Sequence, residues 1–173
     1  MPASLFRIEP LADHERDNFT CGEPALDNWF RERAGQLSRR GLAAVHVMVE
    51  PATMTVVGFY TLSNYTVTAT DLPARIGKGM PRSIALPAHL LGQLGVDRRY
   101  QGRGYGEALL YDAPLRADRL TGDSASLGVV VHARDARVAA WYRRVGFAPF
   151  PAHPSHPMMR MKDIRDLAAA RKH

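Results

Sequence analysis

Apolar residues along this chain recur with two different periods. From Pro24 to Arg40, the residues Leu26, Trp29, Phe30, Ala34 and Leu37 fall at helical spacing, which puts them on one face of an amphipathic helix. Pro24 sits where a missing N–H costs nothing, and Gly41 follows the end. Ala43 to Glu50 and Thr55 to Leu62 are rich in β-branched and aromatic residues. With Pro51, Ala52 and Thr53 between them they predict an antiparallel hairpin. Leu5 to Glu9 reads as a short first strand. Residues 66 to 88, which hold Pro73, Gly77, Gly79, Pro81 and Pro87, read as a long functional loop with room for a short helix.

His89 to Val96 is the next strand, followed by a glycine-rich turn and a helix from about Gly104 to Leu120. Pro114 lies inside that helix and predicts a kink, at roughly 3 kcal/mol if uncompensated. Leu127 to His132 is a β-branched strand, and Asp135 to Val145 a helix stopped by Gly146. Phe147 to Phe150 and Met158 to Lys162 read as closing strands, Ile164 to His173 as a short polar tail helix or frayed end. The order is mixed α/β. Its strand–turn–helix–strand unit implies a parallel pair with a crossover helix. A length of 173 residues fits a single domain spanning 1–173.

Composition narrows the classes. Hydrophobic residues at 46% and charged residues at 23% are ordinary globular usage and exclude a disordered chain. One cysteine excludes an internal disulfide, and no apolar run reaches membrane-spanning length. With no basic patch and apolar run at the N-terminus, a cytoplasmic protein is expected. The net charge is +6 and all but three of the 23 basic residues are arginine. Arginine favours bidentate phosphate contacts, so a polyanionic partner is expected, coenzyme A or nucleic acid among them.

The candidate chemistry centres on Leu94-Gly95-Val96-Asp97-Arg98-Arg99-Tyr100-Gln101-Gly102-Arg103-Gly104-Tyr105-Gly106. Three glycines at alternate positions let the backbone turn tightly and approach a ligand with no Cβ in the way. The free N–H groups of the following helix then form a phosphate site. The turn comes too late for a dinucleotide fold, and the Gly-Lys-Ser/Thr of a Walker loop is absent.

Gln101-x-x-Gly104-x-Gly106 resembles the pyrophosphate signature of the GNAT N-acetyltransferases. His132-Ala133-Arg134-Asp135 through Trp141-Tyr142 to Gly146-Phe147 resembles their second signature. The resemblance implies a GNAT fold: a central mixed, mostly antiparallel sheet with a splayed parallel pair at the coenzyme site, flanked by helices. It implies acetyl-CoA as cosubstrate, bound by Leu94, Gly95, Val96, Gln101, Gly102, Arg103, Gly104, Tyr105, Gly106, His132 and Asp135. Tyr142 is implied as the catalytic general acid. Trp141 is assigned to packing. Asp97 and Asp135 are candidates for a base or for caps.

Further motifs resemble one branch of the family, the tRNA-acetylating toxins: Phe19-Thr20-Cys21-Gly22 through Leu26-Asp27-Asn28-Trp29, Gly58-Phe59-Tyr60-Thr61-Leu62, and Leu91-Gly92-Gln93-Leu94-Gly95-Val96-Asp97. Gln93 and Gly95 depart from the arginine and alanine common there. The likeness implies acetylation of the α-amine of an aminoacyl-tRNA, translation arrest, an antitoxin with a ribbon-helix-helix DNA-binding region, and a homodimer. Arg75, Lys78, Arg82, Arg98 and Arg99 are the candidate tRNA contacts. A small amine or a protein N-terminus is the alternative acceptor; a non-catalytic acetyl-CoA-binding module is disfavoured by Tyr142. No metal is expected from the proline-flanked His153 and His156, and Cys21 is expected to replace a serine helix cap.

Overall fold

The computed structural model describes residues 6–149, 153 and 155–172. Six strands form one sheet in chain order: β1 (Arg7–Pro10), β2 (Ala44–Glu50), β3 (Thr55–Val67), β4 (Leu86–Val96), β5 (Gly128–Val131) and β6 (Met158–Arg160). β1 with β2, β2 with β3, and β5 with β6 are antiparallel. β4 and β5 are parallel, paired from His89 opposite Val129 to Leu91 opposite Val131. β4 then runs five residues beyond its last partner in β5, to Val96. The mixed, mostly antiparallel sheet matches the expected fold. No helix among the described residues is long and apolar enough to cross a membrane.

The chain clusters into two compact units, one of residues up to Ser63 plus Gly92–Ala113, the other of Asn64–Leu91 plus Pro114 onward. In the first, α1 (Pro24–Asn28) and α2 (Ala34–Arg39) flank a π-helical turn, Trp29–Arg33. The predicted single helix thus carries one wide turn. Phe30 lies flat on Phe59, ring centroids 3.9 Å apart at 4°, with Phe19 edge-on at 4.7 Å from Phe30. Phe30, Ala34, Val47 and Phe59 are fully buried there. In the second unit, Val67, Leu72, Ile76, Leu86, Val130 and Met158 share a core.

Several boundaries move. β3 runs to Val67 and β4 starts at Leu86, so the expected 66–88 loop shrinks, with α3 (Ala74–Gly77) inside it. Those extensions pay for themselves in burial, since Val67, Leu86 and Ala88 are all core residues. The helix α4 (Tyr105–Leu120) continues across Pro114. α5 is Ala136–Val145, ended by Gly146 at φ +120°. The expected strand 147–150 reduces to a single bridge, Ala148 with Met158; Phe150 lies outside the described residues, as do Leu5 and His173. The polar tail is a helix, α6 (Met161–Ala170), held by buried Met161 and Ile164. Met161 and Lys162 therefore leave the predicted strand.

Gly58 marks where β3 approaches both β4 and α4. A Cβ there would lie 2.8 Å from Leu109 Cδ1 and 2.9 Å from the Gly95 carbonyl oxygen. The Gly58→Ala substitution is expected to cost about 1–3 kcal/mol, the usual penalty for overpacking. Thermal unfolding checks this, with a fall of roughly 2–4 °C for each kcal/mol in a chain of this size.

Candidate active site

Every residue of the glycine-rich segment falls in the first unit. Asp97 caps a single 3₁₀ turn, Arg98–Tyr100. Gly102 and Gly104 follow at φ +75° and +85°, with nothing within 4 Å of where a Cβ would stand. The chain therefore needs glycine for its backbone path and leaves open space beside it. Ala108 N–H bonds the Gly104 carbonyl. The amides just before it, at the start of α4, have no acceptor within the helix. That is an anion-binding end, and it fits a pyrophosphate. Tyr105 turns its ring inward against Phe6, 4.6 Å away, so only its backbone belongs to the turn.

The turn is braced from behind by the Phe19–Gly22 stretch. Thr20 uses all its polar groups: its N–H bonds Asp97 Oδ2 at 3.3 Å, its hydroxyl donates to Asp27 Oδ2 at 2.9 Å, and its carbonyl accepts from Arg98 N–H at 2.8 Å. Asp27 also accepts from Cys21 N–H at 2.7 Å. Gln101 Nε2 donates to the carbonyls of Cys21 and Val96, at 2.8 and 2.9 Å. Sequence reasoning missed Thr20 and Asp27; the Leu-Asp-x-Trp pattern was the available signal.

Cys21 is not the helix cap. The N-cap is Glu23, which makes no side-chain cap bond, and Asp27 reaches back instead. The Cys21 thiol is pushed up to about 11, chiefly by burial, so it stays protonated. Asp97 is fully buried. Burial pushes its carboxyl up, but the Arg99 guanidinium and the amides of Arg99 and Thr20 outweigh that and hold it below the ordinary range. Asp97 therefore acts as a cap and clamp.

The second unit holds His132, Asp135 and Tyr142. Asp135 caps α5, accepting from Val138 N–H at 2.8 Å, so it too takes the capping role. Tyr142 is buried on α5, with Phe147 edge-on at 5.5 Å and Trp141 tilted at 5.1 Å. Burial pushes its phenol up to about 12. His132, just past β5, stacks on His156 at 3.9 Å and bonds the Tyr65 hydroxyl at 3.2 Å. Burial, then the neighbouring imidazoles, lower its pKa, so it is neutral near pH 7. Among the described residues, no group of three or more His, Cys, Asp or Glu could hold a metal ion.

The candidate cations divide. Arg99 is tied to Asp97 at 2.9 Å, and the Arg98 guanidinium lies over Gly22, 2.9 Å from an ideal Cβ there. Arg75, Lys78 and Arg82 lie in the second unit. Lys78 and Arg82 line a cavity of about 500 Å³.

Known proteins resemble this chain along nearly its whole length. The family model described as acetyltransferase (GNAT) domain matches residues 44–149. A probable toxin TacT of Sinorhizobium fredii is 34% identical over 172 residues, covering 92% of this chain and 93% of that one. A tRNA-acetylating toxin of Mycobacterium tuberculosis is 37% identical over 150 residues, 87% and 88% of the two chains. The solved structure of AtaT complexed with acetyl-methionyl-tRNAfMet superposes with a TM-score of 0.87 at 24% identity, over 94% of this chain and 99% of that one.

The clamp has a pH signature. The folded Asp97 carboxyl sits below its unfolded value of about 3.9, so its stabilisation is complete above that pH and fades as pH falls through the folded value. Asp97→Asn is expected to lose that acid-side dependence and about 1–3 kcal/mol at pH 7. Urea melts of both chains from pH 7 down to 3 measure it; parallel curves would remove Asp97 from the account.

Proposed function

The chain belongs to the GNAT family of acetyltransferases, and on that premise we propose that it transfers an acetyl group from acetyl-CoA to the α-amine of an aminoacyl-tRNA, as the toxin of a toxin–antitoxin pair. What carries the acceptor is kinship with two proteins named as toxins, one of them tRNA-acetylating, along most of both chains. In this reading residues 1–173 serve as one acetyltransferase domain. The blocked amine stops translation in the cytoplasm. The protein works as a homodimer, restrained by an antitoxin with a ribbon-helix-helix region.

Acetyl-CoA supplies the activated acetyl thioester. The amides from Gln101 to Gly106 hold its pyrophosphate, with Arg103 adding charge beside them. Leu94, Gly95 and Val96 offer the free strand edge to the pantetheine arm, and His132 and Asp135 border it. An amide of that edge polarises the thioester carbonyl where negative charge develops. Tyr142 hands its proton to the departing sulfur. Its raised pKa keeps it protonated at any physiological pH. Asp97 and Asp135 are both occupied as caps. An α-amine titrating near ~8 is partly neutral at pH 7 and needs less help than a lysine near ~10.4. On the acceptor side, Arg75, Lys78, Arg82 and Arg98 meet tRNA phosphates. Arg99 contributes less, since its charge is shared with Asp97.

Purified protein incubated with labelled acetyl-CoA and a pool of charged tRNAs is expected to label the aminoacyl end. Tyr142→Phe should cut transfer by about 10²–10⁴, the range for a general acid, with coenzyme binding kept. Transfer to small amines or peptide N-termini alone would replace the tRNA reading. The rate should rise with pH through the amine's value near ~8 and then stay level past 10, because the buried phenol holds its proton up to about 12. A loss of rate centred near 10 would count against Tyr142 as the donor.

A further inference from the structure

Residues 68–85, between β3 and β4, enclose the cavity of about 500 Å³, a size in the usual range of roughly 300–1,000 Å³ for small-ligand sites. Ala69, Leu72, Ala74 and Gly77 supply apolar lining; Lys78 and Arg82 supply charge. The floor is anchored. Ala69, Leu72 and Ile76 belong to the core of the second unit, and Met80 packs against it. Gly77 is fitted closely, since a Cβ there would stand 2.6 Å from the Ala69 carbonyl oxygen.

The charge in this wall is uncompensated. Lys78 and Arg82 are exposed and join no ion pair among the described residues. The one carboxylate of the segment, Asp71, turns away onto Thr68, accepting from its N–H at 3.1 Å and its hydroxyl at 2.8 Å. Neither a small amine nor a peptide N-terminus, both cationic, would favour such a wall. A nucleotide suits it: the heterocycle covers apolar surface while the phosphodiester meets two cations.

We propose that this cavity is a nucleotide subsite for the single-stranded 3′ end of an RNA acceptor, its base against Leu72 and Ala74 and its phosphodiester between Lys78 and Arg82. The proposal rests on the aminoacyl-tRNA reading above and names how that acceptor is held. The nucleotide end of the coenzyme is a different occupant, and the test separates the two.

The probe is the unacylated RNA trinucleotide CCA, titrated onto the full chain by fluorescence anisotropy at several salt concentrations, with coenzyme A titrated in parallel. Wild type should bind CCA. Lys78→Ala with Arg82→Ala should weaken it by about tenfold or more and flatten the log K against log salt slope by about 1.4, from about 0.7 per single-strand phosphate contact. Ala74→Trp fills the cavity from an exposed position with both charges kept, and should abolish CCA binding. Coenzyme affinity should hold in both variants, which also reports that they fold. Failure of wild type to bind CCA, or wild-type affinity in Ala74→Trp, overturns the subsite. So does a loss confined to coenzyme A. If charged tRNA is acetylated while CCA goes unbound, the subsite falls and the tRNA reading stands. If CCA binds in the cavity while no charged tRNA is acetylated, the subsite stands and the tRNA reading falls.

Discussion

A carboxylate with no exposure to solvent is costly unless every lone pair finds a donor. Asp97 meets that demand at the end of β4, where the chain leaves the sheet for the phosphate turn. Its donors come from Thr20 on one side and from Arg99 on the other. The N-terminal stretch is thereby fastened to the turn that follows, and Gln101 repeats the fastening one step later. A phosphate site of amides works only if the amides stay aimed. The glycines give the turn its path, but glycine alone is loose; the Asp97 clamp supplies the rigidity.

Much of this could be read in advance because it rests on local rules. Glycines with positive φ at 102, 104 and 146 stand where the turn and helix-stop patterns put them. Asp135 caps α5 as its position allowed. The paired signatures named the family. What escaped the sequence was set by partners distant along the chain. The π turn at Trp29–Arg33 differs from an α turn by one residue, too little for a periodicity of five apolar positions to register. The role of Asp27 depends on a loop that folds back to it. The ends of β3, β4 and α6 were misjudged because Val67, Leu86 and Ile164 become apolar core only when a neighbour covers them.

The arginines illustrate the same limit in electrostatics. Net charge predicts attraction to polyanions, not which cations are at liberty to act. Arg99 spends its fork on Asp97, Arg160 on Asp163, and Arg165 on Asp118. Such pairs near the surface add little stability, yet each removes a cation from the field that an incoming phosphate meets. A count of basic residues therefore overstates the binding face. Lys78 and Arg82 stand out because the nearest acid in their own segment is bound elsewhere.

The caps bear on the chemistry as well. A carboxylate serving as general base must take up a proton in the course of reaction. Asp97 is held below its ordinary pKa by the donors that fasten the turn, so protonating it would weaken the site it supports. Asp135 is likewise lowered, first by the α5 amide it caps. Both are poor proton acceptors for the same reason that they are good structural residues. The burden then moves to the acceptor, whose amine must be neutral often enough on its own, and to Tyr142, whose burial keeps a proton ready for the sulfur. An α-amine, several times more acid-labile than a lysine side chain by more than two pKa units, is the acceptor class that this division of labour suits.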